Sequence, residues 1–396
     1  MSKPSDRGAV LPSLGAVFLA AGLLLGSWAS RTPAVAGALH VDATVVSSFV
    51  IALAAGSGLG LLVATRDGRR IGPRAGVRAG AVLQLVGLAG IGVGAEGASS
   101  VPVTIAAVFV FGTGVGLGDV LMNVEAAGAE QAVGRSVLPR LHALFSLGAM
   151  GGAIVGAVSA GVGLPISVQF PAVAVIGTVV VLFAAGRFSG PTRSTVVGPS
   201  ARAAAQGVPV RSVARRLLLV AVTVLGLAFA EGTATSWISL GTVRGHGLDA
   251  TTGAVAYGVF VTAMTATRFV GGRIVDRFGR MIAIRVAIGA TVLGLLVFAI
   301  APGLVGILIA ALLWGAGCAL GVPLGVSAAA DGGGDPRRVA VVSATAYTGA
   351  LALPALLGPL FDRWGYGVGL VIPVIVLVVG FTVSRVFRTV VPAESR

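Results

Sequence analysis

Cysteine is almost missing from this chain. Cys318 is the single one in 396 residues, which excludes an intramolecular disulfide and any cysteine-built metal or redox centre. It sits in an apolar run, as a buried small side chain would. Histidine is nearly as scarce, and His40, His142 and His246 are too scattered to suggest zinc. Charge is short as well, at 11% of residues against about 25% in a soluble chain. These shortages exclude an ordinary soluble enzyme, a disordered protein and a secreted disulfide scaffold.

What is present is apolar: 56% hydrophobic residues and 61 glycines. A helix needs about 20 apolar residues to cross roughly 30 Å of hydrocarbon. Such runs occur near 10–30, 43–65, 76–95, 101–124, 138–160, 164–186, 216–240, 250–270, 282–301, 303–328, 338–360 and 366–386. They are continuously apolar and too long for alternating barrel strands, so they predict twelve membrane-spanning helices and an all-α integral membrane protein. The first run is too long for the core of a cleavable signal, and a second span follows closely. The longest polar break contains Pro191, Gly198, Pro199, Gly207 and Pro209. It divides the chain into six spans (1–186), a linker (187–216) and six more spans (217–396).

The basic residues orient the spans. With twelve crossings both termini share a side, and 25 of the 28 Lys and Arg fall on it; Arg31, Arg244 and Arg363 fall on the other. This asymmetry predicts a multi-pass protein of the cell inner (cytoplasmic) membrane with both termini cytoplasmic. The net charge of +14 is then a topology signal and a contact for anionic membrane lipids, with no nucleic acid implied.

A repeat relates the halves. After the eighth span the chain reads Gly272-Arg273-Ile274-Val275-Asp276-Arg277-Phe278-Gly279-Arg280, and after the second Arg69-Arg70-Ile71-Gly72-Pro73-Arg74. A third look-alike, Gly358 to Gly365, falls between the last two spans. Glycines four apart, Gly148, Gly152 and Gly156 on the fifth span and Gly56 and Gly60 on the second, suit close helix packing. Pro323 and Pro354 interrupt the tenth and eleventh spans.

The loop pattern resembles the signature of the major facilitator superfamily, between the second and third helices of each half. The second copy matches well; in the first, Arg69 stands in place of the acid and Thr65 in place of glycine. Gly118 to Asn123, Glu130, Gly134-Arg135, Leu141 to Gly148 and Ala230-Glu231-Gly232 resemble a poorly characterised bacterial branch near the fucose permease-like proteins. The resemblance implies two parallel six-helix halves and a secondary active transporter that moves a small solute by alternating access. It carries Arg69, Arg70, Gly72, Arg74, Gly272, Asp276, Arg277, Gly279 and Arg280 as a gate loop, with Glu125, Glu130, Arg135 and Arg140 as a charge network beside it.

Ionisable groups inside spans are expensive and mark function by default. Glu231 stands 15 residues beyond Arg216, about 22 Å along a helix, which puts it past the midplane toward the outer half. Its neighbours are small or apolar, and it binds a proton or polar substrate, bridges two helices, or faces solvent. Asp119 and Asn123 share one face of the fourth helix, positioned to reach the gate loop or face a cavity, and His142 opens the fifth. Trp28, Gln84, Gln169, Trp237, Tyr257 and Tyr347 are candidates to line a cavity of mixed character.

Neither a nucleophile–base pair nor a phosphate loop is visible, so no enzyme and no cofactor is expected. A membrane-embedded transferase would have only His142 with Glu130 to work with, and a non-transporting receptor is the other alternative. The expected partners are a small-molecule substrate, protons and membrane lipids, with the chain acting as a monomer. Few midspan charges fit a sugar-like solute or small amphiphile, and efflux of a cationic compound by proton antiport is the runner-up. Cysteines replacing Arg70 and Arg277 in a Cys318→Ala background are expected to react with an impermeant thiol reagent from the same side; labelling from opposite sides would contradict the repeat.

Overall fold

The computed structural model describes residues 10–133, 137–188, 210–330 and 336–388. They are built from helices, and twelve spans emerge. The first is α1 (Val10–Ala38). The stretch Ala43–Gly92 is broken at Gly72 into α2 (43–71) and α3 (73–92), the latter continued by a π turn, Val93–Gly97. Then come α4 (Val101–Val133), α5 (Leu138–Gly161), α6 (Ile166–Ala184) and α7 (Val210–His246). The 51-residue stretch Ala250–Ile300 is broken at Gly279 into α8 (250–278) and α9 (280–300). The tenth span, α10, joins Leu304–Cys318 to Gly321–Ala330. The eleventh, α11, begins at Pro336–Tyr347, passes through a π turn and a 3-10 turn at Pro354, and ends in Gly358–Gly369, which is broken at Gly365. The last, α12 (Val371–Val383), is extended by Ser384–Phe387. Each apolar run of the sequence has its helix.

The breaks share one backbone geometry. Gly72 (φ 75°, ψ 153°), Gly279 (φ 77°, ψ 159°) and Gly365 (φ 82°, ψ 161°) each break a helix in a single residue. This region is nearly closed to residues with a Cβ, which explains the glycine in each Arg-x-Gly sequence, Arg70-Ile71-Gly72, Arg277-Phe278-Gly279 and Arg363-Trp364-Gly365. Gly72 and Gly279 are 207 residues apart, as are Asp42 and Asp249. Asp42 accepts a hydrogen bond from the Val45 N–H (2.8 Å), and Asp249 from the Thr252 N–H (2.8 Å). The repeat therefore includes a capped helix start as well as a glycine turn. The bonds from the Thr252 N–H and hydroxyl hold the Asp249 carboxyl below the usual carboxylate range.

By packing, the chain divides into two compact units. One comprises Met1–Ser194 with Ser236–Thr262, the other Thr195–Thr235 with Ala263–Arg396. The boundary cuts across α7 and α8. In the first unit, α1 and α5 meet backbone to backbone: a Cβ on Gly148 or Gly152 would run into the carbonyls of Leu19 or Leu23, and one on Gly22 or Gly26 into those of Phe145 or Ala149. Gly56 and Gly60 bring α2 equally close to Phe109 and Thr113 of α4. In the second unit, Gly232 and Gly349 do the same for α7 and α11. Small residues replace side-chain interdigitation where no hydrophobic effect drives helices together in lipid.

The acids of the first unit serve mainly as caps. Glu130 of α4 accepts from the N–H groups of Val137 (2.7 Å) and Leu138 (3.0 Å) at the start of α5. Glu96 accepts from the N–H groups of Ile166 and Ser167 (both 2.9 Å) and from the Ser167 hydroxyl, at the start of α6. Beside it, buried Arg31 donates to the Leu164 carbonyl at 2.7 Å. Carboxylates suit these positions because helix N-termini expose unpaired N–H groups and carry partial positive charge.

A methyl group added at Gly279 would meet no other atom within 4 Å, so Gly279→Ala tests the backbone alone. It is expected to cost about 1–3 kcal/mol, seen as a lower Tm in detergent. Gly289→Ala, in equally open space within α9, is expected to be neutral or slightly stabilising.

Candidate functional site

Within the second unit, two opposite charges meet. Arg268 Nη2 of α8 donates to Glu231 Oε1 of α7 at 3.0 Å. The pair is held from both ends. Trp314 of α10 is fully buried, stands edge-on to Phe298, and donates from Nε1 to the Ala230 carbonyl at 3.1 Å, tying α10 to α7 next to Glu231. Arg268 Nε donates to the Ala319 carbonyl at 3.3 Å. That carbonyl lies four residues before Pro323. Proline has no N–H to return to it, so the break in α10 presents an acceptor to the arginine.

Glu231 lies close to the middle of the 32-residue span Arg215–His246. The sequence predicts a span ending near 240; the helix continues six residues further, to His246. The side chains keep 23% exposure at Glu231 and 32% at Arg268. Facing hydrocarbon, each of these charges would cost several kcal/mol.

The other candidates are distributed over both units. Asn123 donates from Nδ2 to the Asp119 carbonyl (2.8 Å) and to Asp119 Oδ1 (3.3 Å), so the two share a face of α4 as their spacing predicts. His142 is exposed and packs edge-on against Phe18 at 5.4 Å. Glu130 is engaged by the start of α5, Glu125 is half-buried and Arg140 is exposed; Arg135 lies outside the described residues, as does the side chain of Arg69. In the gate-loop segments, Arg70 approaches Asp67 at 4.0 Å on the surface, while Arg74 Nε donates to the Phe188 carbonyl at 3.0 Å. Gly272, Asp276 and Arg277 are exposed, Arg277 over the Phe278 ring at 5.6 Å; Arg280 is half-buried.

Of the cavity candidates, Trp28, Gln84, Gln169, Trp237 and Tyr257 are buried, and Tyr347 is exposed. Trp28 packs against Phe111 and Phe170, Gln84 donates to the Gly114 carbonyl at 3.3 Å, and Tyr257 stacks on Phe260. Sequence reasoning missed Arg268. It falls inside the apolar run 250–270, yet its charge is credited to the following loop. The signal that points to it is Glu231 itself, an acid within an apolar span that calls for a partner on another helix.

The family model described as Major Facilitator Superfamily matches residues 13–337. The chain belongs to the major facilitator superfamily. It is a multi-pass membrane transporter, not an enzyme, with two parallel six-helix halves, and works on a small-molecule substrate as a single chain. It is 29% identical over 346 residues to an uncharacterized transporter, y4wD, of Sinorhizobium fredii, covering 86% of this chain and 88% of the relative. The fold is similar to that of the nucleoside transporter NupG (TM-score 0.72, 14% identity, 96% of this chain and 99% of that one). It is also similar to the Escherichia coli fucose:proton symporter FucP (TM-score 0.54, 17% identity, 96% and 98%).

In a facilitator of this kind, removing one member of a buried ion pair costs about 3–5 kcal/mol, and the partial exposure here reduces that. Glu231→Gln and Arg268→Gln are each expected to lower the Tm more than the double variant does. A double-mutant cycle is expected to show coupling of about 1–3 kcal/mol. Additive losses would mean that the pair is not energetically linked.

Proposed function

We propose that this chain is a proton-coupled secondary transporter in the cytoplasmic membrane, with Glu231 as the proton-carrying group. The observation that supports the reading is the half-open Glu231–Arg268 pair at mid-span. A carboxylate there has two stable states. Charged, it is held by the guanidinium. Protonated, it releases the guanidinium and loses its own charge, which alters the electrostatic cost of exposing the site to either side. The proposed moving bodies are the six-helix halves 1–186 and 217–396 joined by 187–216, rocking so that the site opens alternately inward and outward. Both termini are assigned to the cytoplasm, on the strength of the arginine asymmetry.

The glycine turns at Gly72 and Gly279, with the basic residues beside them, act in this scheme as the inward gate. Asp119 and Asn123 of α4, and His142 of α5, are proposed to serve the first half, either in the gate network or facing solute. FucP is a fucose:proton symporter, which makes proton coupling a known use of this fold.

The test is transport by the full chain in proteoliposomes loaded with a pH-sensitive dye, screened against a panel of small sugars, nucleosides and organic acids. Wild type is expected to move protons together with at least one solute, and Glu231→Gln to abolish the proton movement. Wild-type proton flux through Glu231→Gln, at equal protein level, would remove Glu231 from the role.

A further inference from the structure

We infer that Arg268 is the substrate-binding group, and that the substrate carries a single carboxylate that takes the place of Glu231 on the guanidinium when Glu231 is protonated. This inference rests on the proton-carrier reading of Glu231 above and adds the chemical class of the cargo.

The two partners of the ion pair are not equivalent. A glutamate can discharge by taking a proton, whereas an arginine stays protonated at any pH a cell meets. Whenever the pair opens through protonation, the group left behind is a cation within a span. A cationic ligand cannot resolve that; it would have to displace Arg268 from Glu231 and leave the arginine unmatched. A neutral solute supplies no charge either. A monoanion restores the balance: the site holds one positive and one negative charge before, and one of each after, with one proton and one anion loaded together.

The geometry accommodates this exchange. Arg268 Nε is fixed on the Ala319 carbonyl that Pro323 leaves without a helical donor, so the guanidinium stays in place when Glu231 lets go. Nη2 carries the Glu231 contact, and Nη1 makes no hydrogen bond among the described residues. The Nη1–Nη2 edge therefore presents two parallel donors, the arrangement a carboxylate accepts as a pair. Both side chains retain the exposure that a ligand approaching from water needs. The scarcity of other midspan charges is consistent with a monoanion, which needs one counter-charge.

The test uses purified full-length protein and the smallest carboxylate probes, formate and acetate, with formamide and acetamide as uncharged matches. Thermal stabilisation is read between pH 8 and pH 5.5. In wild type, acetate but not acetamide is expected to stabilise, its apparent affinity strengthening about tenfold for each unit of falling pH until Glu231 is protonated. In Glu231→Gln the affinity is expected to be high and independent of pH, and in Glu231→Gln/Arg268→Gln to be lost. If the single variant is not recovered folded, the pH series in wild type against Arg268→Lys makes the same comparison, with the loss expected in Arg268→Lys. An equal response of the single and double variants, or acetamide matching acetate, would overturn the inference. If Glu231→Gln abolishes proton flux in proteoliposomes while acetate is ignored throughout, only the anion assignment falls. If Glu231→Gln keeps its proton flux, the carrier reading falls with it.

Discussion

A charge inside a membrane has to be matched by the protein that carries it, since hydrocarbon offers neither ions nor hydrogen bonds. This chain meets that demand with few acids, and their placement follows from it. At the ends of spans, Asp42, Glu96, Glu130 and Asp249 each receive N–H groups from a helix start, where the helix itself supplies the compensating partial charge. Within the spans, Glu231 is matched by a whole opposite charge on another helix. The first kind of match is static. The second is a direct pairing of opposite charges, on which the proposed proton-carrier role of Glu231 rests.

The ion pair also depends on a defect in a neighbouring helix. An uninterrupted α10 would use the Ala319 carbonyl internally. Pro323 removes the donor, the helix breaks between Cys318 and Gly321, and the carbonyl is taken by Arg268. Trp314, one turn earlier, clamps the same helix onto the Ala230 carbonyl beside Glu231. Three helices thus converge on one pair through a missing N–H, an indole N–H and a guanidinium.

Glycine does two different jobs here. At Gly72, Gly279 and Gly365 it admits a backbone conformation that breaks a helix in one residue. Along α1 and α5, and along α7 and α11, it admits a neighbouring backbone where any side chain would collide. The resulting helix pairs rely on contact between backbones, which larger side chains at these positions would prevent. The matching roles in each half extend the repeat from a short loop motif to the architecture of the helices around it.

The twelve spans, the glycine turns and the superfamily were legible in the linear chain, because apolar length, basic asymmetry and the Asp-Arg-x-Gly pattern are local properties. Glu231 was legible too, as an acid stranded in an apolar run. Its partner was not: Arg268 is 37 residues away, and a basic residue near a span end reads equally well as a topology signal until folding brings α7 and α8 together. The same holds for Glu130 and Glu96, whose acceptors and donors are separated by 7 to 71 residues, and for Trp28 and Tyr257, which sequence alone offered to a cavity and which packing placed in the interior. Sequence determines which groups must find a partner in the membrane; only the packed helices decide which partner each one finds.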